Sequence, residues 1–141
     1  MIEAGLSALL LGNSAVAAIA GAKVFFGDAP PDPTQYPCVA ISMVGGSSDP
    51  TFSSNGMIRQ RVELNAFANA PDSGGNSPRT VAGNLRAAVI AALSGWQQLL
   101  SDGTCVSNAV LLNPGTDFGP GEDRIFRCMC EFYVLFTLPT S

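Results

Sequence analysis

Two cysteines separated by a single residue, Cys128 and Cys130, are the side chains whose type and spacing could carry chemistry in this sequence. They lie in the apolar segment FRCMCEFYVLFTL, residues 126–138, whose alternating pattern predicts a strand. Cysteines at i and i+2 of a strand share a face about 6.6–6.8 Å apart, at the limit of disulfide geometry. We therefore expect them to be small buried side chains rather than a bridge, and expect the same of Cys38 and Cys105.

Metal binding and histidine-dependent catalysis find little support in the composition. A structural zinc site uses about four ligands, commonly in Cys-x-x-Cys pairs, whereas Cys38 and Cys105 are isolated and the chain has no histidine. The missing histidine excludes Ser–His–Asp triads, Cys–His pairs and His-ligated metals within one chain. We expect no catalytic residue, no bound metal and no cofactor.

Two further segments resemble binding motifs only superficially. The glycines of SGGNSPRT, residues 73–80, precede a predicted helix, where backbone amides can hold phosphate, but the lysine and spacing of a P-loop are absent. Asp117, Glu122 and Asp123 could coordinate calcium, but the spacing of an EF-hand loop is absent. We interpret the first segment as a linker capped by Ser77 and the second as a solvated acidic loop.

The composition favours a protein that binds other proteins. Hydrophobic residues make up 47% of the chain and charged residues 13%, against a usual charged share of about 25%. A surface so poor in charge predicts a face buried against a partner. The net charge is −4 and the seven Lys and Arg residues are scattered, which disfavours a nucleic-acid-binding module.

Membrane insertion and secretion are not expected. No segment reaches the roughly 20 consecutive apolar residues of a membrane span. The apolar stretch at residues 5–22 has Glu3 before it and no preceding Lys or Arg, unlike a secretory signal. We expect synthesis in the cytoplasm.

The length of 141 residues fits one domain, residues 1–141, and the hydrophobic periodicity predicts helices first, then strands, then a helix, then strands. Strands are predicted at residues 24–26, 38–44, 57–68, 104–112 and 124–138. A helix beginning at Pro78 carries one apolar stripe. The stripe consists of Val81, Leu85, Val89, Leu93 and Trp96.

The two longest predicted strands have one core face and one outer face, because their side chains alternate. The core face is predicted to hold Val62, Leu64, Cys128, Cys130 and Phe132. The candidate subunit interface is the opposite face, which is only partly polar and carries Arg59, Arg61, Met129, Tyr133 and Leu135. The alternative is a set of scattered exposed apolar side chains, which is common on monomers.

Two polar segments rich in glycine and proline are candidate partner-binding loops. Residues 45–56 include Asp49 and Phe52, and residues 113–123 include Asp117 and Phe118. An exposed phenylalanine in such a loop can anchor a partner's pocket. The alternative is that both are solvated hairpin tips.

The order of these segments resembles one protein family over nearly the whole chain. A helix pair and KVFF are followed by a proline-rich crossing into YPCVAI, then RQRVELNAFA, a helix and DGTCVSNAVLL, and finally an acidic loop and RIFRCMCEFYVLF. This arrangement is similar to the tail-completion or tail-terminator proteins of long-tailed bacteriophages and phage-like particles. The motifs that carry the resemblance are patterns of residue type and contain no invariant chemistry.

The resemblance implies an α+β fold, with a mainly antiparallel sheet of about four to five strands and two main helices packed on one face. It also implies a structural virion protein at the junction of tail and neck, made in the host bacterium. Its expected partners are further copies of itself in a hexameric ring, the tail tube protein and a head-completion or connector protein. DNA would pass through the channel without specific binding, which agrees with an acidic chain that lacks a basic cluster.

Two alternatives remain open at this stage. The first is a head-closure or connector protein of the neck, which would sit on the head side of the same junction. The second is a small α+β enzyme whose active site forms between subunits from Asp, Arg and Ser residues. The position of the protein in a particle would distinguish these alternatives.

We predict four free thiols in each chain, because the two cysteines of the strand cannot bridge each other and the other two are isolated. Titration of the unreduced, denatured protein with a thiol reagent should count four per chain, and a chelator should leave the melting temperature unchanged. A count of two, as a Cys38–Cys105 bridge would give, would contradict the prediction.

Overall fold

The computed structural model describes residues 2–27, 36–44, 57–119 and 125–138. Within these ranges the chain forms an α+β fold, as predicted, with three helices and six strands. The elements in chain order are α1 (Ile2–Leu11), α2 (Ser14–Ala20), β1 (Val24–Phe26), β2 (Cys38–Val44), β3 (Met57–Ala68), α3 (Pro78–Leu93), β4 (Gln98–Leu99), β5 (Cys105–Phe118) and β6 (Phe126–Thr137).

The six strands form one mixed sheet in the order β1-β2-β3-β6-β5-β4. β1 pairs with β2 in parallel, and every other neighbouring pair is antiparallel. The predicted four to five strands are one too few, because the two-residue β4 adds to the start of β5. Such a short strand has no readable periodicity.

One face of the sheet packs on the helices, as the alternation predicted. Val62 lies opposite Phe132 and Leu64 opposite Cys130 across the β3–β6 pair, and all four are at most 1% exposed. The stripe of α3 is buried in the same cluster, which also includes residues of α1 and α2. This cluster is the main core.

Trp96 belongs to this core but does not lie on the helix, as the periodicity had suggested. α3 ends at Leu93, and Gly95 follows with φ 75°, a conformation that glycine adopts without steric cost. The turn leaves Trp96 only 6% exposed, and its Nε1 donates a hydrogen bond of 2.9 Å to Gln98 Oε1.

α1 and α2 are separate helices because Asn13 begins the second one. Its side chain accepts hydrogen bonds from the backbone N–H groups of Ala15 and Val16, the arrangement of an N-cap. In the part of the chain that the structure describes, no single helix is long and apolar enough to cross a membrane. α1 and α2 reach that length and hydropathy together, but they meet at a bend of 80°.

β5 extends beyond the predicted strand and takes in half of the predicted loop at residues 113–123. It runs to Phe118 and, at 14 residues, is longer than β6. Its register with β6 shifts between Leu111 and Asn113 and again between Asn113 and Thr116. These irregularities accommodate Pro114, which sheets tolerate at bulges and edges.

An ion pair ties the end of β5 to α3. Arg86 Nη1 lies 2.5 Å from Asp117 Oδ1, and this hydrogen bond holds the pKa of the Asp117 carboxyl below its ordinary value. Gly115, with φ 155°, lies against the same guanidinium, so a β-carbon there would collide with it. The contact fixes Asp117 on the core side of the strand, opposite Cys128.

Replacing Trp96 by Ala should lower the free energy of unfolding by about 3–5 kcal/mol, because transfer energy is lost and a cavity remains. Chemical denaturation of Trp96→Ala beside the wild type measures this loss. Gln97→Ala, a substitution at the exposed neighbouring position, is the matched control and should be nearly neutral. Unchanged melting of Trp96→Ala would contradict the buried position.

Replacing Arg86 by Met should lower the free energy of unfolding at pH 7 by less than about 1 kcal/mol, because the Asp117 side chain is 44% exposed and screened by solvent. The folded-state pKa of Asp117 is depressed, so the stabilisation is present above the unfolded pKa of about 4 and is lost as the pH falls through the folded value. Denaturation curves should show that the difference in free energy of unfolding between wild type and variant is smaller at pH 3 than at pH 7. In an Asp117→Asn background, Arg86→Met should lose this pH dependence; if the dependence persists, another carboxylate is responsible.

Candidate partner-binding surfaces

The cysteines of β6 are core residues, and the structure holds all four cysteines as free thiols. Burial raises the pKa of Cys130 to about 12 and that of Cys38 to about 11. Burial also raises the pKa of Cys128. These three thiols are poor nucleophiles and poor metal ligands, because the thiolate is the reactive form. Cys105 departs from the prediction: it is exposed on β5.

The outer sheet face, the side of β3 and β6 turned away from the main core, brings the five predicted interface residues together. The register places Arg59 opposite Leu135 and Arg61 opposite Tyr133, with Met129 opposite Asn65 further along. All five predicted residues are half-buried in the isolated chain. They lie on the same face of the β3–β6 pair.

The arginines of this surface are held by neighbouring side chains. Arg61 Nε donates a hydrogen bond of 2.6 Å to Glu131 Oε2, and the Glu131 side chain is only 10% exposed. The guanidinium carbon of Arg59 lies 4.7 Å from the centre of the Tyr133 ring, a cation–π contact. The outer sheet face therefore presents a fixed combination of arginine and aromatic groups.

A second, smaller apolar cluster covers the other end of the outer sheet face. Its buried members are Cys38, Ala40 and Phe67, with Phe25, Tyr36 and Ile125 packed around them. The ring of Tyr36 meets the ring of Phe67 edge-on, at 6.1 Å between centroids. Sequence reasoning missed this cluster, although β2 carries apolar residues on both faces, which indicates a strand buried on both sides.

Asp117 and Phe118, the two candidate residues of the second loop, have different surroundings in the structure. Asp117 is bound by Arg86, whereas Phe118 is 41% exposed at the end of β5. The guanidinium carbon of Arg127 lies 4.0 Å from the centre of the Phe118 ring and holds it in place. Asp49 and Phe52 of the first loop, and Glu122 and Asp123 of the second, lie outside the described residues. Within the described ranges no group of three acidic or cysteine side chains could hold a metal ion.

The glycines before α3 form a turn rather than a phosphate-binding loop. Asp72 Oδ1 accepts hydrogen bonds of 3.0 Å from Gly74 N and 2.9 Å from Asn76 N. Ser77 Oγ accepts a hydrogen bond from Thr80 N at the start of the helix. The amides of Gly74 and Asn76 are already satisfied by a carboxylate, which confirms the interpretation of a capped linker.

Exposed apolar side chains concentrate on β4 and β5, which sequence reasoning did not single out. Leu99 is 72% exposed, Val110 45% and Leu112 43%. The apolar run AVLL within β5 could have indicated this exposed apolar surface. A strand with one face in solvent would have a polar residue at every second position, and this run has none.

Residues 4–137 match the family model described as Tail completion protein gp17. Among solved structures, a chain of the "Virion of native gene transfer agent (GTA) particle" is similar with a TM-score of 0.70 and 18% identity. The alignment covers 94% of this chain and 91% of that chain, and at this identity it shows a shared fold. No curated protein matches.

The family match confirms the resemblance noted in the sequence and rules out the enzyme among the alternatives named there. It extends over nearly all of the described elements, from α1 to the last residue of β6. The protein is therefore a structural component of a virion and not an enzyme. The chain belongs to the tail completion protein gp17 family.

Proposed function

We propose that this protein forms a ring, most simply a hexamer, that covers the end of the tail tube, stops its polymerisation and joins the tail to the head. The whole chain, residues 1–141, acts as one tail-terminator-like domain in this role. The observation that carries the proposal is the match of residues 4–137 to the tail-completion family.

The physical requirement is that growth of a polymer must be stopped at one end. A tube that grows by adding identical rings leaves an open end that is a template for the next ring. A terminator must be complementary to that end and must present a different surface on its far side. A ring of identical subunits with two unlike faces meets both conditions: one face binds the tail tube protein and the other binds the head-completion or connector protein.

The outer sheet face supports contact between subunits of such a ring. Arg59, Tyr133 and Leu135 are half-buried and adjacent, and arginine and tyrosine are enriched in the centres of protein interfaces. Their positions are fixed by the Arg59–Tyr133 contact and the Arg61–Glu131 ion pair. A preorganised surface loses less conformational entropy on binding.

The end of the β5–β6 pair supports attachment to the tube or the head. Phe118 projects there with 41% exposure, stacked on Arg127. Asp49 and Phe52, in the segment that follows β2 in the sequence, are the second proposed contact. An aromatic side chain at a protruding position is suited to a pocket on a partner.

DNA passes through the channel of the proposed ring without being gripped. The net charge of −4 and the scattered Lys and Arg residues support this, since tight phosphate binding needs clustered positive charge. Weak repulsion between an acidic wall and the DNA backbone favours free sliding.

Removing the gene from the producing cell should yield filled heads without tails, beside tails of abnormal and often excessive length, because nothing covers the growing end. Electron microscopy of the lysate measures both products. Restoring the gene on a plasmid should return tail length to normal. Normal tails joined to heads in the absence of the protein would overturn the proposal, and a defect confined to the head portal would favour a head-closure role.

The same complementation assay examines the proposed contact at Phe118. Phe118→Ser should keep the ring assembled and lower the fraction of heads that carry tails, because the partner loses its anchor. Leu11→Ser removes an apolar side chain of similar exposure from α1 and is the matched control, which should complement fully.

A further inference from the structure

The outer edge of β5 is open over most of its length in the described part of the chain. β4 pairs only with Cys105 and Val106, and the backbone N–H of Gly95 donates to the Ala109 carbonyl at 3.0 Å. Beyond Ala109, β5 has β6 on one side and no described strand on the other. An edge of this kind is a template for pairing with another chain.

Residues 110–113 of this edge carry no charged side chain, and the edge is interrupted only by the register shifts around Asn113 and by Pro114. Proteins commonly protect edges with lysines or other charged residues, but β5 contains no Lys or Arg, and its one acidic residue, Asp117, is bound to Arg86. Val110 and Leu112 are instead large, apolar and exposed. The edge is therefore suited to being covered.

A second open edge lies at the opposite end of the same sheet. Among the strands that the structure describes, β1 is the terminal one there, with β2 on one side and no strand on the other. The backbone carbonyl of Lys23 accepts a hydrogen bond from Val39 N, and Gly27 N donates to the Ile41 carbonyl. Because strand residues alternate in direction, the backbone of Phe26 faces away from β2, and its side chain is 46% exposed.

We infer that β1 of one copy pairs with residues 110–113 of β5 in the next copy, so that the sheet continues from subunit to subunit. The inference rests on the proposed ring. A closed ring needs two different, complementary surfaces on each subunit, and the two ends of one sheet supply them.

The lengths of the two edges match. On β5 the free stretch begins after Ala109, whose carbonyl is occupied by Gly95, and ends at Pro114, which has no N–H to donate. The four residues between them accommodate the three residues of β1.

The strand directions match as well. β1 is parallel to β2, and the antiparallel pairs β2–β3, β3–β6 and β6–β5 leave β5 running opposite to β1. A ring axis roughly along the strands preserves these directions in every copy. The new pair between copies is then antiparallel, which is the more stable arrangement per residue.

The edge is continuous with the surface already proposed for subunit contact. Val110 lies opposite Tyr133 in the register of β5 and β6, so its side chain borders the outer sheet face. A neighbour seated on β5 would cover Val110 and extend over Tyr133. The two surfaces are parts of one interface.

Two charge substitutions, each blocking one edge, test the inference. Val110→Lys blocks β5 and Phe26→Lys blocks β1; both positions are exposed, so folding should be unaffected. By light scattering after size-exclusion chromatography, wild type should form a ring and each variant alone a monomer. An equimolar mixture should form a dimer and nothing larger, because only one competent edge of each kind remains. Leu11→Lys on α1 is the control and should still form rings.

Other outcomes overturn the inference. If the Phe26→Lys variant alone formed dimers, β5 of one copy would be pairing symmetrically with β5 of a second copy. Rings formed by both variants would mean that the edges are not the contact, while the proposed ring stands. A wild-type chain that stays monomeric at every concentration would refute edge pairing. The gene-removal experiment would then test the tail-terminating role separately. If Val110→Lys lowers the melting temperature, Leu112→Lys is used in its place to block the edge of β5.

Discussion

The pairing of β3 with β6 is the interaction on which the rest of the structure depends. It runs without a register shift from Met57 opposite Thr137 to Ala68 opposite Phe126. Because side chains alternate along both strands, this register sends one set into the core and the other to the outer sheet face. A slip of one residue would exchange the two sets, so the core and the proposed interface are fixed by the same hydrogen bonds.

The helices stabilise this register from one side only. α3 lays its apolar stripe over the core face, and α1 and α2 close the same cluster. The outer sheet face receives no helix from the described chain and is instead stabilised by cross-strand contacts such as Arg61–Glu131. An assembling protein benefits from this asymmetry, because the covered face gives stability while the other remains available for a partner.

Sequence reasoning succeeded where the hydrophobic residues followed a single strand or helix period. The bounds of β2 and β3 and the stripe of α3 through Leu93 follow from alternation and helical spacing. It failed where tertiary contacts outweigh local preference. Residues 113–115, Asn-Pro-Gly, are typical of a turn, yet they remain part of β5. Asn113 and Thr116 on either side of Pro114 and Gly115 pair with β6, and Arg86 binds Asp117. Trp96 kept its place in the core although a turn at Gly95 had already ended the helix.

The members of the candidate surface were predictable from the sequence, but their contacts were not. Period-2 alternation put Arg59, Arg61 and Tyr133 on one face, but no local pattern could reveal an ion pair between residues 70 positions apart.

The exposure of Cys105 has a practical consequence. All four cysteines lie in the described chain, and three are buried with raised pKa values. The folded molecule thus carries one natural attachment point for a fluorophore, on the same strand as the open edge, through which assembly could be followed in real time without engineering a new residue.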